Sequence, residues 1–381
     1  MTTLAGLRPP RGARAGSGSL LRRVDYSLLA VTVAITALGL LMVFSATRGS
    51  AATPNHSFLD RQMTFAFGGV VLMGLVMLID YRTLRSVVGL AYLATLAVLC
   101  AVPVIGTKVN GARAWFRLGP FQLQPSEFAK ITVIVALAAF FTIDRSLPTL
   151  RNLMVGLGVA GLPAAIIMLE PDLGTVLVYI AITTTVFVVA GVRPLHLLLL
   201  GLLVVLGTVA VLNSGALSGY QQNRLTAFVD QKPSKVNLGV FEQQQHAQTA
   251  IGNGGLLGQG LFEGSQNKSK LVSQKQTDFI FTVVGEELGF VGAAVLLALY
   301  GIMILRIWRI GATAPDLFGT LICAGVLAMF MFQIFESVGM TSGIMPITGI
   351  PLPFVSYGGS SILASFLGIG LVESVYLRRF V

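Results

Sequence analysis

The sequence predicts an all-α polytopic membrane protein of about ten transmembrane helices, with both termini cytoplasmic and a long extracytoplasmic loop between helices seven and eight. Three observations carry this. First, of 381 residues 54% are hydrophobic and only 11% charged, with a mean hydropathy of +0.81, whereas a soluble protein carries roughly 25% charged residues. Second, the chain holds ten apolar runs of about the length of one crossing, roughly 20 residues. Third, the basic residues are unevenly shared between alternate connections, which sets orientation. A soluble enzyme, a disordered chain and a disulfide scaffold are excluded. The net charge of +10 is read as that orientation signal, with no nucleic-acid partner.

Residues 1–24 form a basic tail, expected to be disordered and cytoplasmic, and 25–381 form a single transmembrane domain. The apolar runs span 27–46, 63–79, 86–106, 128–143, 153–169, 173–191, 195–213, 279–305, 317–338 and 360–377. Each must be a helix or a barrel strand, because unpaired amides are too costly in hydrocarbon. Runs without strict alternation choose helices. With the N-terminus inside, the inner segments collect fourteen arginines, from Arg8 in the tail to Arg379 at the C-terminus. The short outer loops hold only Arg48, Arg61, Lys108, Arg113 and Arg117. Cys100 and Cys323 both fall in apolar runs and read as buried structural thiols.

Four outer segments remain: 107–127, the turn Glu170-Pro171-Asp172, the long loop 214–278, and 339–359. In the first, Arg113 and Arg117 could grip a pyrophosphate, while Trp115 suits either a sugar or the aromatic belt. Pro125 then starts a helix, on which Glu127 and Lys130 lie three apart and so share a face. That pair is either an interfacial anchor or the lining of an outward cavity. Glu170 and Asp172 could perform acid–base work, hold a divalent cation, or cap the next helix. No metal-ligand pattern is present and no cofactor is implied with certainty.

In the long loop, the stretch from Gln243 looks like a short amphipathic interfacial helix, followed by a glycine-rich turn that is no phosphate loop. Asp278 is the last charge before the eighth apolar run. It is either the N-cap of that helix or a partly desolvated base at a cavity rim. Finally, two prolines forbid helix at 351–353, and Ser356, Gly358, Gly359 and Ser360 place hydroxyls and backbone donors at the last helix start, a reasonable anion site.

Five segments, in order, resemble the SEDS family of bacterial cell-envelope proteins, which spans RodA, FtsW and SpoVE. They are QPSEFAK (124–130), EPDLGT (170–175), AIGNGGLLGQG (250–260), TDFIFTVVGEELG (277–289) and MPITGIPLPFVSYGGSS (345–361). The resemblance implies a peptidoglycan glycosyltransferase in the bacterial cytoplasmic membrane. Such a protein polymerises lipid II at the outer face, beside a class B penicillin-binding protein and other elongation-complex membrane proteins. It places the family's essential aspartate on Asp278 and its Glu/Lys pair on Glu127 and Lys130; Gln276 stands where family members usually carry histidine. The RodA branch, which serves cell elongation, is the better likeness. A lipid II flippase, a silent scaffold and a division-specific FtsW-type polymerase are the alternatives. The outward clustering of the polar groups favours a polymerase over a flippase.

Overall fold

The computed structural model describes residues 24–48, 57–109, 112–119, 121–143, 148–170, 172–213, 238–265 and 274–380. The basic tail, much of the long loop (214–237 and 266–273) and Pro171 lie outside the described residues. Ten helices coincide with the ten apolar runs. They are α1 (Tyr26–Arg48), α2 (Ser57–Leu78), α3 (Tyr81–Ile105), α4 (Pro125–Phe141), α5 (Leu150–Met168), α6 (Leu173–Val189), α7 (Pro194–Asn213), α9 (Ile280–Ala312), α10 (Leu317–Ser342) and α11 (Gly359–Leu377). Among the described residues, seven of these have the length and apolarity to cross a membrane, α6 being a shorter apolar helix. An eleventh helix, α8 (Leu238–Gly254), occupies the stretch expected to be amphipathic.

Helix starts follow their sequence signals. Asp80, Thr149, Asp172 and Asp316 each accept a backbone amide from the first turn of α3, α5, α6 and α10, which satisfies donors that a helix start leaves open. Pro125 occupies the first turn of α4, where its missing N–H costs nothing. The bundle is built around α10 and α11, the two spans with the largest buried share, 67% and 83% of their apolar windows, against 11% for peripheral α3. Helix α2 packs along α11, and α10 packs against α4, α6 and α9.

The expectation of an all-α chain is corrected at one place. Between α3 and α4 the chain forms a three-stranded antiparallel sheet, β1 (Thr107–Val109), β2 (Ala112–Leu118) and β3 (Phe121–Leu123). The polar–apolar alternation of 112–118 suits a strand, and Gly119 turns it back with a φ of 61°. Strands this short are masked by the apolar signal on either side. Helix α9 also runs past residue 305 to Ala312, because Arg306 and Arg309 reach the polar end of the bundle without ending it. Cys323 is buried as expected, but Cys100 is exposed. It lies on the outer face of α3, where an apolar run faces the bundle's surroundings instead of its core.

Helix α9 carries a kink at Gly289, whose φ of 67° and ψ of −165° break the helix. A β-carbon there would come within 2.2 Å of the Gly258 nitrogen. The glycine-rich stretch after α8 docks its backbone on this kink, with Gln259 and Gly260 amides donating to the Glu286 and Glu287 carbonyls. Gly258 is required by backbone meeting backbone, since a β-carbon there would lie 2.1 Å from the Glu287 carbonyl oxygen.

Candidate functional site

The starts of α4, α6, α9 and α11 all meet at one end of the bundle, around a cavity of about 500 Å³. This is the end opposite the termini. Helix N-termini carry partial positive charge and open amide donors, so four of them around one cavity favour an anion. Of the sequence-predicted residues, Asp278, Glu127, Lys130, Trp115, Gly358, Gly359 and Ser360 line it, and Arg113 and Ser356 do not.

On α4, the Lys130 ammonium donates to Glu127 Oε1 at 2.8 Å, and the two side chains are only 2% and 4% exposed. Their three-residue spacing puts both on the face that points inward. Burying two charges is costly unless they are paired, and the pair lines the cavity wall. The α4 start is tied to the α11 start: the Gln124 amide donates to Ser360 Oγ at 2.8 Å. Gln124 Nε2 also reaches Asp172 Oδ2 at 3.3 Å.

Glu170 and Asp172 separate into two roles. Asp172 is the N-cap of α6, accepting the Thr175 amide at 2.9 Å and the Thr175 hydroxyl at 2.7 Å. Glu170 is 2% exposed and neither of its carboxyl oxygens has a partner among the described residues. Burial first, and then the charge of Asp172, push its pKa up to about 8.

Asp278 stands at the cavity rim. Asp278 immediately precedes Phe279, the N-cap of α9, whose own side chain makes no cap hydrogen bond. The segment carrying it is held from behind. Ser356 is buried and donates to the Thr277 carbonyl at 2.6 Å while accepting the Leu352 amide at 2.8 Å; Tyr357 N donates to the Gln276 carbonyl at 2.8 Å. Ser356 is thus a brace for the Asp278 segment, correcting its expected place as an anion ligand. Gln62 of α2, fully buried, clamps the same loop from its other side. Its amide nitrogen donates to the Ser356 carbonyl at 3.0 Å and its oxygen accepts the Gly358 amide at 3.2 Å. Helix α1 approaches that loop so closely that a β-carbon on Gly39 would lie 2.5 Å from the Phe354 carbonyl oxygen.

Arg113 is exposed on β2 and donates to the Pro103 carbonyl at 3.3 Å, away from the cavity. Arg117, four residues along the same strand, lines it, as does Arg61 of α2. The arginine pair expected from sequence is replaced by one member of that pair and a residue from another helix. Arg61 and Gln62 carry only a weak signal, a polar couple one turn inside an apolar helix.

An apolar helical bundle whose ionisable groups converge on one cavity at the mouths of four helices defines a class: a multi-pass membrane protein built to receive a polar, anionic group at one membrane face. The chain belongs to the FtsW/RodA/SpoVE family of cell cycle proteins, whose model matches residues 26–379, and is a multi-pass protein of the bacterial cytoplasmic membrane. It is 36% identical to stage V sporulation protein E of Bacillus subtilis over 92% of this chain and 96% of that one. It is 33% identical to the peptidoglycan glycosyltransferase MrdB of Escherichia coli K12 over 93% and 94% of the two chains. Among solved structures it is similar to RodA of Thermus thermophilus, with a TM-score of 0.70 and 31% identity over 94% and 98% of the chains. A structure describing how a peptidoglycan synthase complex coordinates polymerization and crosslinking gives a TM-score of 0.79 and 33% identity over 94% and 98%.

Proposed function

We propose that this chain is a peptidoglycan glycosyltransferase that polymerises lipid II in the cavity described above, with Asp278 as general base and the cavity end at the outer membrane face. The observation that carries the reading is the meeting of Asp278 with Lys130, Arg117 and four helix N-termini around one cavity. A sugar hydroxyl is a poor nucleophile at neutral pH, and a positioned base typically contributes 10²–10⁴-fold. Asp278 removes the acceptor hydroxyl's proton as its oxygen attacks the anomeric carbon of the donor sugar. The C–O bond to the diphosphate breaks, and its electron pair leaves with the diphosphate. Lys130, Arg117 and the helix starts stabilise that growing negative charge. No covalent intermediate is needed, so the anomeric centre inverts.

The relatives named as peptidoglycan glycosyltransferases support the activity. The arginine asymmetry of the connections supports the outward cavity. Similarity to a complex that couples polymerization with crosslinking supports a class B penicillin-binding protein as partner, and similarity to RodA supports the elongation role. Depletion should therefore round rod-shaped cells; filaments of undivided cells would assign division instead. For the activity, the full-length chain is reconstituted in liposomes with lipid II. Asp278→Asn should lower polymerisation by at least about 10²-fold while the protein stays folded. Polymerisation near the wild-type rate would overturn the assignment of the base.

A further inference from the structure

Four carboxyl groups line the cavity: Glu127, Glu170, Asp172 and Asp278. Glu127 is committed to Lys130, Asp172 to Thr175 and Gln124, and Asp278 is the base of the proposed reaction. Glu170 is left over. It follows directly on the C-terminal end of α5, where the helix dipole is negative and disfavours an anion. It is 98% buried, and both its oxygens lack a hydrogen-bond partner among the described residues. A buried carboxylate without partners is too costly to keep its charge, and such a group takes up a proton instead. A protonated carboxyl is an O–H donor. Glu170 lines the cavity, whose wall also carries Arg61, Arg117 and Lys130.

We propose that Glu170 binds the leaving group: as a neutral carboxylic acid it donates a hydrogen bond to a diphosphate oxygen of the lipid-linked sugar in the cavity. This rests on the reading of the cavity as the site of glycosyl transfer. The proton stays on Glu170 throughout, so the proton and electron balance of the transfer step is unchanged. The bond strengthens as negative charge builds on the diphosphate, so its loss lowers kcat more than it raises KM. Ionised Glu170 would instead repel the diphosphate. Its charged and titratable neighbours are Asp172 and Tyr179 on α6, with Arg61 on α2, Glu127 and Lys130 on α4, Arg117 on β2 and Asp278 before α9 around the same cavity.

The test is the pH–rate profile of lipid II polymerisation by the full-length chain in liposomes, for the wild type, Glu170→Gln and Glu170→Ala. The wild-type kcat should fall about tenfold per pH unit above the Glu170 ionisation, which lies near pH 8. Glu170→Gln keeps an N–H donor that cannot ionise; it should be about threefold slower at pH 7 and lack the alkaline fall. Glu170→Ala should be about 10- to 100-fold slower in kcat at pH 7, with a melting temperature no lower than that of the wild type. The inference is overturned if Glu170→Gln keeps the alkaline fall, if it is folded but inactive, or if Glu170→Ala stays within twofold of wild type. An active Asp278→Asn variant, run alongside, would instead sink the reading on which the inference rests.

Discussion

At the end of the bundle that carries the termini, Asp25, Asp80 and Asp316, which precede helices, each have a cation or a cap to answer them. Asp25 accepts the amides of Ser27 and Leu28 and pairs with Arg306, 3.0 Å away at Nε. Asp316 caps α10 and accepts from the Tyr81 hydroxyl at 2.7 Å and from Arg82 at 3.1 Å; Asp80 meets Arg378 at 3.4 Å. At the cavity end, Glu170 accepts nothing among the described residues. The consequence is a pair of opposite shifts. Burial works to raise Asp25 and Asp316, but hydrogen bonds from Ser27, Arg306 and Leu28, and from Gly319, Tyr81 and Arg82, outweigh it and hold both below the usual carboxylate range. Burial has no such opponent at Glu170, which rises. Charges that hold helices together are paired where they stand. At the cavity, Glu127 and Asp172 are answered within the chain as well, and Glu170 has no hydrogen-bond partner among the described residues.

The largest test of this contrast is the Glu127–Lys130 pair, which is buried like an anchor and placed like a ligand. Lys130→Ala leaves a buried carboxylate alone and should cost about 3–5 kcal/mol of stability, read by thermal melting. That variant cannot separate the roles. The double variant Glu127→Gln, Lys130→Met removes both charges, which is often neutral for folding. It should melt within a few degrees of wild type yet lose about 10²-fold or more in polymerisation, since the cavity keeps its shape and loses a cation. Activity that survives the double change would move the pair to the anchoring side of the comparison.

At the terminal end the expected effects are on stability alone. Asp316→Ala removes the cap of α10 and the partner of Tyr81 and Arg82, and should cost about 1–2 kcal/mol, with the rate per folded molecule unchanged.

The two shifts also predict opposite pH behaviour. Asp25 and Asp316 titrate lower in the folded chain, so they stabilise above their unfolded pKa, near 3.8, and that stability is lost as pH falls through their folded values. Glu170 titrates higher when folded, so the fold is favoured below its unfolded pKa, near 4.5, and loses stability as pH rises toward 8. A melting series from pH 4.5 to 8.5 should show Glu170→Gln gaining on the wild type up to about pH 8 and then running parallel to it. A gap that is constant across the series would mean that Glu170 is already charged and partnered.

What the sequence made legible follows from the range of each signal. The ten apolar runs located ten helices because crossing length and lipid solubility act on every residue of a run. The Glu127–Lys130 pair was legible because helical spacing alone puts the two side chains on one face. The small sheet was not, since strands of three to seven residues sit between two long helices that dominate any window. Arg113 and Arg117, four apart and so on one face of a strand, look equivalent, yet one donates to the Pro103 carbonyl and the other lines the cavity; only the docking of β2 on its neighbours separates them. Gln62 clamps the Ser356 loop from 294 residues away along the chain, which no local pattern reports. Glu170 and Asp172 read as a matched pair until the cap on α6 claimed Asp172.

The most direct test sets the two ends side by side in one preparation. Polymerisation rate and melting temperature are measured for Asp278→Asn and Asp316→Ala in the full-length chain, reconstituted with lipid II. The account predicts that Asp278→Asn melts like the wild type and does not polymerise, whereas Asp316→Ala melts earlier and polymerises at the wild-type rate per folded molecule. If Asp278→Asn instead loses activity only in proportion to lost folded protein, Asp278 belongs with the structural carboxylates, and the division of the molecule into a holding end and a working end fails.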